Sequence, residues 1–316
     1  MEFWTDASLV PADFGPSAVT VGKFDGVHAG HRAVIDRLVA VADERGLVPT
    51  VVTFDRNPLS VVRPEACPDP LVSNEQKREL LEEAGVGATL MVTFDEEFRS
   101  MAPEDFVSGI LVGALHATAV LVGADFRFGA RGAGDVALLR AMAAESGFEV
   151  IEIDDVASSG DRRVSSTWIR ELLSAGDVRT AAELLGELPA IRAEVVHGAQ
   201  RGRTLGYPTA NLSPTVEGFI PADGVYASWL VVDGVPYGAA VSIGNNPTFE
   251  GVPEKQVEAH AFDQAFDLYG RTVEVRFVEF IRGMRKFGGA DELAAQMRRD
   301  ELRIRDILGL PPRAGE

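Results

Sequence analysis

Residues Val19–Gly46 read VTVGKFDGVHAGHRAVIDRLVAVADERG, an apolar run that turns through glycines into a helical pattern. SAVTVGKF has the character of a strand. From His28 to Arg45, Val34, Leu38, Val41 and Ala42 recur at the spacing of one helix face. The same alternation continues outward. VPTVVTF reads as a strand, NEQKRELLEEAG as a helix ending at Gly85, ATLMVTF as a strand and PEDFVSGIL as the start of a helix. ATAVLVG, DVALLRAMAAESG and FEVIEI continue as strand, helix and strand, and one more helix is predicted over roughly Ser166–Leu185. Near-continuous apolar strands joined by helices predict a doubly wound parallel sheet, the α/β class.

After Pro189 the texture changes to alternating stretches with turn glycines: RAEVVHG, GVYASWLVVDG, VPYGAAVSIG, KQVEAHAFD and RTVEVRFVEFI. The Asp-Gly pair in LVVDGVPYG marks a hairpin, and five or six strands within ~90 residues predict a small antiparallel β-barrel. A final helix is predicted in ADELAAQMRRDELRIRDIL. Two domains follow, 1–186 and 187–316.

The totals restrict the partners. Residues 1–188 carry 16 basic against 31 acidic side chains and residues 189–316 carry 14 against 17, for a net charge of −18. A field of that sign disfavours nucleic acid and anionic membrane surfaces. Phosphates must then be met by a few placed cations and backbone amides, so a small nucleotide is the expected anionic partner. No apolar run approaches the ~20 residues of a membrane helix. The start, MEFWTDASLVPADFG, lacks a basic leader, and the single cysteine, Cys67, excludes an internal disulfide, so a cytoplasmic home is expected. Assembly into a homo-oligomer is left open.

His28 and His31, two of only five histidines, fall where a strand hands over to a helix. Gly22 and Gly26 let backbone approach a ligand there, and an i, i+3 pair in the first turn places both imidazoles on one side. In that place they can donate to phosphate oxygens and follow charge as it develops. A capping or core role is the alternative for each, and two histidines without a third ligand make a poor zinc site. Asp25 is read equally as a turn-forming carboxylate or a functional one. In RRVSSTWIREL, hydroxyls at Ser166 and Thr167 open a helix and Arg170 follows one turn later, an arrangement that suits an anion as well as a simple cap. HGAQRGRTLGYPTANL, His197–Leu212, is rich in glycine, basic residues and hydroxyls.

GKFDGVHAGH resembles the H-x-G-H signature of nucleotidyltransferases in its flavin-adenylating form, and SSTWIR resembles the second element of that superfamily. The resemblance implies that Gly22, Phe24, Asp25, Gly26, Ser166, Thr167 and Arg170 bind nucleotide, with His28 and His31 catalytic. TFDRNP, Thr53–Pro58, resembles that family's TFDPxP segment after the second strand, and GADFRFGARGAGD, Gly123–Asp135, resembles its loop framing the adenine or flavin side. The resemblance implies flavin contact for Asn57, Asp125, Phe126 and Phe128. Arg56 departs from the family's more usual proline. PTANL resembles the P-T-x-N motif of riboflavin kinases, implying that Thr209 and Asn211 hold Mg²⁺ with ATP and that Gly198, Arg203 and Gly206 line the nucleotide. DGVYA and SIGNNPTF agree with that family, and QVEAHAFD resembles the strand bearing its catalytic glutamate, here Glu258. With two motif sets in order over about residues 15–308, the chain resembles the bacterial bifunctional riboflavin kinase and FMN adenylyltransferase family. That implies riboflavin, FMN and ATP as substrates, Mg²⁺ as cofactor and FAD as product. A nucleotidyltransferase for another phosphorylated metabolite, or a flavin carrier or sensor without chemistry, is the rival reading.

Overall fold

A computed structural model describes residues 1–153, 162–197, 207–244, 255–264 and 266–312, with the backbone alone at 158–159. The chain divides into two compact units, Met1–Ser165 and Ser166–Glu316. The first holds β1 (Glu2–Trp4), β2 (Ser17–Val21), β3 (Val48–Phe54), β4 (Ala88–Val92), β5 (Ala117–Gly123) and β6 (Glu149–Ile153). Their order is β1-β4-β3-β2-β5-β6, and every neighbouring pair is parallel.

Parallel neighbours need crossover connections. These carry α1 (Ala29–Arg45), α2 (Leu59–Val62) with α3 (Asn74–Glu83), α4 (Glu96–Ser100) with α5 (Pro103–Asp105), and α6 (Val136–Ser146). The helix predicted to begin at PEDFVSGIL continues from α5 as a π-helix over Phe106–Ala114. Successive strand residues face opposite ways, so Val19, Val52 and Val120 join one apolar cluster with Leu111 and Leu139. Ala18, Val51 and Leu121 join the other with Leu38 and Leu81. Both faces are covered, as the unbroken apolar strands predicted. The chain steps from β2 through β3 to β4 in one direction, and β5 then returns to the far side of β2. That reversal sets the loops leaving β2 and β5 side by side at the carboxyl edge, where open α/β sheets bind ligands. A short hairpin, β7 (Ser158–Ser159) with β8 (Arg162–Arg163), ends the unit.

The single helix predicted over Ser166–Leu185 is two: α7 (Ser166–Ala175) and α8 (Val178–Leu185). Gly176 takes φ +84°, a left-handed stop, and the carboxylate of Asp177 accepts from Thr180 N at 3.1 Å to start the next helix. Both fall within the second unit, where Arg179 of α8 forms an ion pair with Glu279.

The rest of that unit is a closed barrel of β9 (Ala190–Val196), β10 (Ala210–Leu212), β11 (Gly224–Val232), β12 (Val235–Gly244), β13 (Gln256–Ala261) and β14 (Thr272–Arg282). The strands run antiparallel in the cyclic order β10-β13-β12-β11-β14-β9. The predicted Asp-Gly hairpin joins β11 to β12, with φ +49° at Asp233 and +79° at Gly234. Two successive positive φ values are what a type I′ turn requires, and its twist matches that of the strands. The terminal helix α9 (Ala290–Ile307) seats Ile304 against Val225, Ala227 and Ile281. Its buried Arg305 bonds Glu301 at 3.0 Å and Asp263 at 2.7 Å, and its buried Asp300 takes Arg282 at 2.8 Å.

A Cβ at Gly176 would lie 3.3 Å from the Phe280 ring in a conformation L-residues disfavour. Gly176→Ala is therefore expected to cost about 1 kcal/mol or more, read as a lowered urea midpoint of this unit. An unchanged midpoint would show that the α7–α8 break tolerates a side chain.

Candidate active sites

In the first unit the GKFDGVHAGH loop leaves β2 and caps α1. Gly22 N still bonds Val52 O of β3 at 3.0 Å, and Thr53 Oγ1 donates to Lys23 O at 3.1 Å, so the loop begins locked to its neighbour strand. It then turns sharply: Phe24, Gly26 and Val27 hold φ of +47°, +84° and +40°. Phe24 and Val27 are buried, and left-handed backbone at a phenylalanine and at a β-branched valine is strain that packing must hold in place. Asp25 Oδ1 accepts from Leu71 N at 2.8 Å, fastening the turn to the segment before α3.

The turn delivers His28 as the N-cap residue of α1 and His31 in its first turn. Their rings stack with centroids 3.7 Å apart and planes 16° apart, and Phe24 tilts against His31 at 5.1 Å. Each Nδ1 is buried without a hydrogen-bond partner among the described residues. Burial holds His28 down to about 4, reinforced by the Arg163 cation. Burial, the adjacent His28 and the cations of Lys23, Lys77 and Arg163 hold His31 well below the ordinary value. Two imidazoles in contact are thus neutral near pH 7, each able to donate one N–H and to take up a proton when an anion arrives.

Around this pair lies a side chain the sequence reading missed. Lys77 of α3 is buried and donates to Phe54 O at 2.9 Å, at the end of β3. Burial lowers its pKa, while the carboxylates of Asp25 and Asp55 draw it back up. Burial pushes the Asp55 carboxyl up, but the Arg56 guanidinium at 2.7 Å and Phe94 N at 2.9 Å outweigh this and hold it low. One buried ammonium therefore draws together the loops after β2 and β3. The departure at Arg56 is accommodated as an exposed partner of Asp55.

Of the positions assigned to flavin, Asn57 Oδ1 accepts from Leu59 N at 3.1 Å and shapes the start of α2. Phe128 is buried, with Phe126 stacked on it at 5.4 Å and only partly covered. Phe128 and Gly134 exchange backbone bonds of 3.2 and 2.9 Å that close the loop. Asp125 is exposed, 3.8 Å from Arg163. Ser166, Thr167 and Arg170 occupy the first turns of α7 in the second unit.

In the barrel, the ladder pairs Asn211 of β10 with Glu258 of β13, and Glu258 with Ser242 of β12. Directly paired residues share a face. Val257, Ala259 and Ala261 are buried, so Glu258 stands on the opposite face, in one row with Asn211 and Ser242. Thr209 lines a cleft of about 470 Å³ with Val195, Pro208, Leu230, Ala259 and Tyr269. His197 stacks on Tyr269 at 3.8 Å. Gly198, Arg203 and Gly206, and residues 245–249 of the SIGNNPTF segment, lie outside the described residues.

The FAD synthetase family model matches residues 10–168, and the riboflavin kinase family model matches residues 185–308. Among curated relatives, the Escherichia coli K12 bifunctional riboflavin kinase/FMN adenylyltransferase is 39% identical over 92% of this chain and 93% of its own. Those of Listeria monocytogenes and Bacillus subtilis are 36% and 34% identical, covering 94% and 93% of this chain and 92% and 93% of theirs. A crystal structure named as a macrolide-efflux protein from Streptococcus pneumoniae superposes with a TM-score of 0.85. It is 30% identical, over 96% of this chain and 98% of that one. Among the described residues no helix is long and apolar enough to cross a membrane.

The histidine pair sets an acid limit on stability. Between pH 6.5 and about 4 the unfolded chain binds a proton at His28 that the folded chain refuses. Stability therefore falls as pH drops through that window, by up to roughly 3 kcal/mol from His28 alone. Urea midpoints at pH 7 and pH 5 should show this loss, and it should shrink in His28→Gln. An equal loss in the variant would place the acid sensitivity elsewhere.

Proposed function

This chain belongs to the bifunctional riboflavin kinase/FMN adenylyltransferase family, and from that premise we propose how its two units make FAD. One observation carries the reading: each family model falls on its own part of the chain, and in each the motif residues meet, His28 with His31 and Asn211 with Glu258.

The barrel is the kinase. Glu258 takes the proton from the primary hydroxyl of the ribityl chain, whose oxygen attacks the γ-phosphorus of ATP. ADP leaves and FMN remains. Thr209 and Asn211 offer a hydroxyl and an amide oxygen, hard donors that suit Mg²⁺ when phosphate oxygens and water complete its shell. The bound ion would neutralise phosphate charge, while Thr209 and Asn211 hold the nucleotide's polyphosphate beside Glu258.

The parallel unit, with the SSTWIR element, is the adenylyltransferase, and we set the functional boundary at 186/187. A phosphate oxygen of FMN attacks the α-phosphorus of ATP, an AMP unit joins it and pyrophosphate leaves. FMN phosphate is already anionic, so no strong base is required, and the step rests on positioning and charge stabilisation. Neutral His28 and His31 donate to the phosphates and are drawn towards the charged form as negative charge builds on the leaving group. Ser166, Thr167 and Arg170 add an anion-binding helix start and a fixed cation. Phe126, stacked on buried Phe128, is the ring left open to a flavin. We place this work in the cytoplasm, where ATP is at hand.

Incubation with riboflavin, ATP and Mg²⁺ should yield FMN first and FAD after it on chromatography. His28→Ala should cut FAD formation by about 10³-fold while FMN accumulates at the normal rate. Glu258→Gln should stop riboflavin phosphorylation yet still convert added FMN to FAD. A folded variant that loses both activities together would overturn the division of labour.

A further inference from the structure

From the end of the β10–β13 ladder we infer that His260 is a positioning residue of the kinase site, fixing the backbone that presents Thr209 and Asn211. The inference rests on the assignment of those two residues and Glu258 to the kinase reaction. Backbone pairing between the strands covers Asn211↔Glu258 and Ala210↔Ala259 and stops there. In the same register Thr209 would stand opposite His260. Pro208, the residue before it, has no N–H with which to extend the ladder. At that point the His260 side chain takes over: its Nδ1 lies 2.7 Å from Pro208 O. A carbonyl only accepts, so Nδ1 carries the hydrogen, whether the ring is neutral or charged.

The ring is held on two sides. Tyr207, itself buried, meets it edge-on at 5.1 Å, and Phe262 meets it at 5.7 Å. His260 is two residues beyond Glu258 on the same strand face, opposite to the buried Val257, Ala259 and Ala261. One side chain thus pins the Tyr207–Pro208–Thr209 backbone to the strand that bears the base. That bond carries the attachment of β10 to β13 past the last backbone pair at Ala210, and its loss would loosen the offset of the Thr209 and Asn211 oxygens from Glu258. A displacement of about 1 Å in such groups costs on the order of 10²-fold in rate.

Asn and Gln substitutions separate this from a packing role. Asn places its amide nitrogen where His Nδ1 sits, two bonds from Cβ, whereas Gln places it one bond further out. His260→Ala and His260→Gln are expected to raise KM for ATP or lower kcat of riboflavin phosphorylation so that kcat/KM falls about 30- to 100-fold. His260→Asn is expected to stay within about 5-fold of the parent. Conversion of added FMN to FAD, carried by the other unit, should be unchanged in all three and reports that the chain is folded. Asn no better than Gln, or Ala with parental kcat and KM, overturns the role of the Nδ1 bond. Thr209→Ala, measured alongside, tests the underlying assignment: if it phosphorylates riboflavin normally, the site itself is misplaced, whatever His260 does.

Discussion

A parallel strand cannot follow its neighbour without a crossover, and that constraint builds the first unit. Every strand of the sheet ends at the same edge, so every crossover must begin there, with unpaired backbone and a helix start nearby. The order β1-β4-β3-β2-β5-β6 makes β2 the pivot from which the chain turns both ways. Its loop therefore has β3 on one side and β5 on the other, and Thr53 of β3 bonds Lys23 O within it. The sharp turn through Phe24, Gly26 and Val27 is possible in that setting because buried neighbours hold it. Isolated, that backbone would relax to a less strained form.

Charge is the second constraint. A chain with net charge −18 repels the polyphosphates it must bind, so its affinity for them has to be local. The first unit answers with desolvation as much as with cations. Its two histidines are kept neutral and in contact, a state that burial enforces and that bulk water would not. Lys77 works differently: buried and bonded to a carbonyl, it spends its charge on Asp25 and Asp55. It organises the loops that leave β2 and β3.

Much of this was legible in the sequence because periodicity reports burial. Unbroken apolar strands imply a sheet covered on both sides, and the Asp-Gly pair implies the β11–β12 hairpin. The histidine pair stood out by rarity and by its place at a strand–helix junction. What stayed hidden depends on partners distant in sequence. Asp25 bonds an amide 46 residues away, and nothing local distinguishes that from a ligand-facing carboxylate. Lys77 carried a faint signal, since it precedes buried Leu81 by one helical turn and so lies on the apolar stripe of α3. The break at Gly176 was missed for a different reason. A single glycine inside a helical pattern costs little by itself, and the cap supplied by Asp177 is what turns it into a stop.

The barrel shows how far a strand's two-residue period can carry chemistry. Closure leaves the strands no free edges, and in a closed antiparallel ladder the register decides which side chains share a row. Shifting β13 by one residue would bury Glu258 and expose Ala259, and the pairing with Asn211 and Ser242 would vanish together with the barrel's lining. The Asn211–Glu258–Ser242 row and the core packing are thus set by one variable. Filling the barrel holds the Glu258 carboxylate in line with Asn211 and Ser242, and where the ladder ends the His260 side chain takes over with its bond to Pro208 O.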